Sequence, residues 1–97
     1  MKIIIIGGGI TGLVAGYYLC KKGNQVEIYE SSYFLGGQAS SIEINNNLIE
    51  RGYHHIFKND KHLINLMNEL GIISKLKWYN SSVGIFSKGK LFKFLII

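Results

Sequence analysis

Near its start the chain holds four isoleucines, Ile3 to Ile6, followed at once by three glycines, Gly7 to Gly9. A β-branched run bounded by glycine predicts a short strand buried on both faces. The next segment must then be a turn built from backbone alone. Gly7-Gly8-Gly9-Ile10-Thr11-Gly12 fits G-x-G-x-x-G. In that pattern the first glycine permits the tight turn, the second lets the backbone approach a pyrophosphate, and the third lets a helix pack closely on the strand. Leu13, Val14, Tyr17 and Cys20 recur at helical spacing, so Thr11 to Lys22 is predicted helical, with Gly23 placed as a left-handed C-terminal cap. Gln25 to Glu30 alternates into a second strand. The handedness rule makes the two strands parallel neighbours in a βαβ unit. The first helical turn then aims free N–H groups at an anion.

Glu30 ends the second predicted strand, 18 residues after Gly12. A carboxylate there can accept hydrogen bonds from ribose hydroxyls and would repel a 2′-phosphate, which argues against NADP. A second glycine pair follows in Leu35-Gly36-Gly37-Gln38. It lets another stretch of backbone approach the same ligand. A simple NAD site has no need of it, so the pair favours FAD.

Ser41 to Asn45 and Leu48 to Gly52 are predicted to form a hairpin around Asn45-Asn46-Asn47, since asparagine tolerates the turn geometry. Asp60 is a suitable N-cap for a helix through Leu70, with Leu63, Leu66, Met67 and Leu70 as its apolar stripe and Gly71 as its stop. Trp78 to Ser87 and Lys90 to Ile97 are predicted to form a second hairpin turning at Lys88-Gly89. A complete dinucleotide fold needs further parallel strands, and only two can be found. The chain is therefore expected to be truncated.

Ile3 to Cys20 is an uncharged run of 18 residues, just long enough to suggest a membrane span. Five glycines interrupt it, and no small-residue cleavage site follows, so neither a span nor a secretory signal is expected. Cys20 is the single cysteine, which excludes an intramolecular disulfide and suits a reducing compartment, taken as cytoplasmic. Its apolar neighbours predict a buried, inert thiol. The net charge of +5 is uneven: residues 1–50 carry −1 and residues 51–97 carry +6. The lysines are scattered singly, as on a solvated basic face, which leaves an anionic substrate or peripheral membrane contact open. No nucleic-acid motif accompanies the charge. His54 and His55 are adjacent, but no Cys, Asp or Glu cluster has metal-ligand spacing with them, and no metal is expected.

The order GGGITGLVAGYYL, VEIYE, LGGQAS and a hairpin ending in RGYHHIF resembles the flavin amine oxidase superfamily. That superfamily includes protoporphyrinogen oxidases, carotenoid (phytoene) desaturases and, more distantly, UDP-galactopyranose mutases. The resemblance implies that Gly7, Gly9 and Gly12, with Ile10 and Thr11 between them, contact the pyrophosphate of FAD and that Glu30 contacts the adenosine ribose. It also implies that Gly36, Gly37 and Gln38 lie along the pyrophosphate and ribityl chain, and that the segment near His55 approaches the isoalloxazine ring. Many members carry arginines around the second glycine pair, where this chain has Ser32, Phe34 and Gln38. Gly52 to Phe57 also carries one residue more than the mutases' histidine segment.

The expected fold class is α/β: an incomplete Rossmann-like βαβ FAD-binding segment over residues 1–58, then the start of an α+β substrate lobe over 59–97. The expected function is the cofactor-binding part of an FAD-dependent oxidoreductase acting on a small molecule. The alternatives are a UDP-galactopyranose mutase-like isomerase and a non-catalytic remnant. No catalytic acid or base can be assigned, and the 97-residue chain alone is expected to show little turnover.

Overall fold

The isoleucine run forms strand β1 (Lys2–Ile6) and the predicted helix forms α1 (Ile10–Lys21) in the computed structural model, which describes residues 1–96. Strand β2 (Gln25–Tyr29) lies parallel to β1, in a register running from Lys2 opposite Gln25 to Ile6 opposite Tyr29. Gly23 closes α1 at φ +82°, with its N–H donating to the Cys20 carbonyl at 2.9 Å. Packing of α1 on the strands rests on Gly16, one of two buried residues in the chain's described part. A Cβ there would meet Ile28 Cδ1 at 3.0 Å and Ile5 Cδ1 at 3.5 Å.

Two expectations change. The first strand is not buried on both faces. Ile3 and Ile5 are half-buried, while Ile4 and Ile6 are 56% and 81% exposed. Within this unit α1 covers one face of the β1–β2 ribbon, so alternate isoleucines point away from it. Cys20 is exposed rather than buried, because a two-stranded ribbon gives the helix only a narrow surface to cover.

The chain divides into two compact units, Met1–His55 and the residues from Ile56 onward. The first unit ends with hairpin β3 (Ser41–Ile44) and β4 (Asn47–Glu50). Ile44 opposes Asn47, so the loop is Asn45-Asn46, and both residues have positive φ, +50° and +62°. That is the turn whose twist matches paired antiparallel strands. The expected strand ends at Asn45 and Gly52 are one and two residues too long, because the turn and the loop after Glu50 claim them.

The second unit holds α2 (Lys61–Glu69) and hairpin β5 (Ser82–Ser87) with β6 (Lys90–Ile96). The hairpin turns at Lys88-Gly89, with φ +50° and +73°, and has an irregularity between Val83 and Gly84. Trp78 to Ser81 lie before β5 rather than in it, and the predicted strand's last residue, Ile97, lies outside the described residues. Asp60 stands at the N-cap of α2 but makes no side-chain cap bond. Its Oδ2 instead accepts the Phe57 N–H at 2.7 Å, tightening the turn before the helix. Among the described residues no hydrophobic side chain is fully buried.

Candidate functional site

The first glycine turn leaves β1 through Gly7 at φ +103°, a left-handed conformation that favours glycine. The Gly7 N–H donates to the Tyr29 carbonyl at 2.7 Å, so the turn is tied to the end of β2. Gly12 has a steric reason to be glycine: a Cβ there would overlap the Gly7 carbonyl oxygen. Gly9 differs. Its φ of −72° and ψ of 176° suit any residue, and a Cβ on it would meet no protein atom within 4 Å. Gly9 is also the N-cap of α1, with no side-chain cap bond and no acidic residue in the first turn. The helix start therefore offers N–H groups and a positive dipole end with no carboxylate of its own against them.

Glu30 lies one residue beyond β2. Its Oε2 accepts the Gly8 N–H at 2.7 Å, and its Oε1 accepts the Ser32 N–H at 2.8 Å and the Ser31 hydroxyl at 3.3 Å. The Ser32 N–H, and after it that of Gly8, hold the carboxyl below the usual carboxylate range. The second glycine turn packs directly on the first. Gly36 N–H donates to the Gly8 carbonyl at 2.8 Å, and Gly36 forms a parallel bridge with Gly9. Gly36 and Gly37 both have positive φ, +97° and +56°. A Cβ on Gly37 would come within 3.3 Å of Gly9 Cα, so the two turns approach backbone to backbone.

Between the two turns lies an open cleft of about 300 Å³, lined by Gly9, Ile10, Gly36, Gln38, Ala39, Gly52, Tyr53 and His54. Four of the expected site residues, Gly9, Ile10, Gly36 and Gln38, line it together. Gly7, Gly12 and Gly37 are not part of the lining; Gly12 packs on Gly7, Gly37 packs on Gly9, and Glu30 holds the first turn through Gly8. Thr11 is exposed in the first turn of α1 and is not part of the lining. His55 is not part of it either; its Nε2 pairs with the Tyr53 hydroxyl.

The histidine of the lining is His54. Its Nδ1 lies 2.7 Å from the Gly52 carbonyl. That contact makes Nδ1 the protonated nitrogen and leaves Nε2 as the acceptor of the neutral ring. Nε2 is 3.7 Å from Glu50 Oε1, an ion pair when the ring is protonated. Sequence reasoning missed Ala39, Gly52, Tyr53 and His54. His54 and His55 are adjacent in Gly52-Tyr53-His54-His55, and of the two it is His54 that lines the cleft.

A parallel βαβ unit, an uncapped glycine turn at the helix start and an acidic residue after the second strand define a dinucleotide-binding unit. Residues 5–70 match the NAD(P)-binding Rossmann-like domain family, and the chain belongs to that family. Among curated proteins it is similar to a probable zeta-carotene desaturase of Synechococcus elongatus, 40% identical over 77 residues, covering 78% of this chain and 16% of the desaturase. It is similar to a flavin-dependent L-tryptophan oxidase of Lentzea aerocolonigenes, 32% identical, covering 82% of this chain and 18% of the oxidase. Among solved structures, a triple mutant of putrescine oxidase matches 97% of this chain and 21% of its own, with 27% identity and a TM-score of 0.71. The chain thus spans about a sixth of the length of the curated relatives it matches. These relatives bear out the resemblance to the flavin amine oxidase-like superfamily and the Rossmann-like fold class. No helix among the described residues is long and apolar enough to cross a membrane.

Proposed function

We propose that this chain is the FAD-binding part of a flavin-dependent oxidoreductase that oxidises a C–N or C–C single bond of a small molecule to a double bond, a hydride leaving one carbon and a proton the neighbouring atom. The observation that carries the reading is Gly9. Neither its backbone angles nor its protein neighbours require a glycine, yet it sits at an uncapped helix start and lines a cleft shared with a second glycine turn. Close approach by a ligand backbone explains the missing side chain. The residues present fit a dinucleotide of the FAD type. The N–H groups at the start of α1, through Gly9, Ile10, Thr11 and Gly12, would hold the pyrophosphate. Glu30 would accept from the adenosine ribose with the lone pairs its backbone donors leave. Gly36, Gly37 and Gln38 would follow the chain towards the flavin, with the His54 and His55 segment beyond them.

When bound, the flavin supplies the hydride acceptor; the protein supplies binding, orientation and electrostatics. Residues 1–58 then make the cofactor lobe and residues 59–97 open the substrate lobe. The single cysteine suits a reducing compartment, taken here as the cytoplasm. Calorimetric titration of the full-length gene product with FAD and with NAD tests the reading. FAD should bind more tightly by at least about a hundredfold, roughly 2.7 kcal/mol. Equal affinities, or preference for NAD, would overturn it.

A further inference from the structure

We infer that Arg51 is a positioning residue that fixes the shape of the second glycine turn, and so sets the geometry in which Gly37 and Gln38 meet a bound dinucleotide. The inference rests on the cofactor reading above and adds a residue which that reading does not use. Arg51 directly follows β4 and is exposed. Its backbone N–H donates to the Ser40 carbonyl at 3.0 Å, and its Nε donates to the Ser40 hydroxyl at 3.1 Å. The Ser40 hydroxyl in turn donates to the Gly37 carbonyl at 2.6 Å. The guanidinium carbon stands 4.2 Å from the centroid of the Phe34 ring. One side chain therefore touches the residue that enters the turn, Phe34, and the residue that leaves it, Ser40.

Gly36 and Gly37 have no side chains with which to stiffen the turn, and their backbone freedom when unrestrained is the largest of any residue. The restraint has to come from outside the pair. Three backbone bonds contribute: the Gly36 N–H donates to the Gly8 carbonyl at 2.8 Å, the Gly36 carbonyl accepts the Ala39 N–H at 3.0 Å, and the Gly37 carbonyl accepts the Ser40 N–H at 3.2 Å. The side-chain restraint runs from Gly37 through the Ser40 hydroxyl to Arg51. The Gly52 backbone follows in the same direction: a Cβ there would meet the Gln38 carbonyl oxygen at 3.0 Å, so the residue after Arg51 backs the far side of the turn. A lysine could not take the place of Arg51. A planar guanidinium can stack on a ring while its Nε donates sideways; an ammonium is a point charge with no such fork.

The test is a double-mutant cycle in the full-length gene product, read as the FAD dissociation constant, with the melting temperature of the cofactor-free protein measured beside it. The variants are Arg51→Lys, Arg51→Ala, Phe34→Leu and the Arg51→Ala/Phe34→Leu pair. Arg51→Lys and Arg51→Ala should each weaken FAD on the order of tenfold. The pair should lose no more than Arg51→Ala alone, because the two side chains act as one unit. A residue with a merely structural role would lower the melting temperature without this non-additivity in affinity. Arg51→Lys keeps the surface charge and guards against simple failure to fold. Wild-type affinity in Arg51→Lys, or additive losses in the pair, overturns the inference while leaving the cofactor reading intact. Failure of the unmutated protein to bind FAD overturns the reading itself.

Discussion

The two units of the chain use different means to order their loops. In Met1–His55 the loops are joined by backbone and side-chain bonds: Gly7 to Tyr29, Gly36 to Gly8, the Glu30 carboxylate to both Gly8 and Ser32, and Arg51 to Ser40. These bonds link segments up to 28 residues apart, from Gly8 to Gly36. From Ile56 onward the order is local. Helix α2 closes on its own turns, and β5 pairs only with β6, its neighbour in sequence. The second hairpin exposes apolar side chains, with Phe86 and Leu91 opposite each other and each 72% exposed. A network of non-local polar bonds is specific and expensive to build by chance. An unpartnered apolar hairpin does not by itself define a site. The contrast is between a unit ordered by bonds that are distant in sequence and one whose hairpin leaves apolar side chains exposed.

The largest expected effect separates two glycines of the same turn. Gly12→Ala should disrupt the first unit, since its Cβ would overlap the Gly7 carbonyl oxygen; overpacking of this kind costs about 1–3 kcal/mol or more. Flavin content of the purified full-length gene product should fall to background, and its melting temperature should fall with it. Gly9→Ala should leave the melting temperature within about 2 °C, because nothing in the protein meets its Cβ, and should still weaken FAD at least about tenfold. Should Gly9→Ala bind FAD normally, the ligand-approach explanation of that glycine fails.

Glu30→Ala comes next. Loss of the carboxylate proposed to accept from the adenosine ribose should weaken FAD roughly ten- to a hundredfold and FMN much less, since FMN lacks that ribose. Equal weakening of both ligands would reduce Glu30 to a brace for the glycine turn.

Acidification probes the same carboxylate. Its folded pKa is lowered by the Ser32 and Gly8 N–H groups. The stabilisation is therefore complete above the ordinary carboxylate value and is lost as pH falls through the folded value. Flavin release followed by fluorescence from about pH 6 down to about pH 3 should show this step in the natural sequence. Glu30→Gln should flatten it. An unchanged profile in Glu30→Gln would assign the acid sensitivity to other groups.

The smallest effect is expected in the second unit. Phe86→Thr with Leu91→Thr should change the stability of the 97-residue chain by no more than about 0.5 kcal/mol, since both positions are largely exposed. The soluble fraction should rise, because paired exposed apolar residues favour association. A large loss of stability would show that the hairpin is packed in solution and would erase the contrast between the units.

Much of this architecture was legible in the sequence because it is local. The isoleucine run, the helical spacing of Leu13 to Cys20, the Asn45-Asn46 and Lys88-Gly89 turns and the stop at Gly23 all act over a few residues. Gly9, Ile10, Gly36 and Gln38 were expected together because glycine spacing encodes backbone approach, and they line one cleft. Other features were not legible for the opposite reason. Nothing near Arg51 in sequence points to Phe34, 17 positions earlier, or to the Ser40 hydroxyl that mediates its hold on Gly37. Which of His54 and His55 lines the cleft depends on the path of the chain after β4, a one-residue matter that periodicity does not resolve. Asp60 had the right identity for a cap, but its carboxylate found the Phe57 N–H first.

The lack of any fully buried hydrophobic side chain among the described residues has a calorimetric consequence. The heat capacity change of unfolding comes mainly from newly wetted apolar surface, and for ordinary domains it amounts to about 12–15 cal/mol/K per residue. Here Ile4, Ile6, Phe86 and Leu91 already face solvent in the folded state, so less such surface remains to be wetted. A scan of the 97-residue chain should therefore give a baseline step well below the ordinary value and a shallow stability curve. The same chain held against apolar partners should recover the full step, so the size of that step measures how much of its surface has found cover.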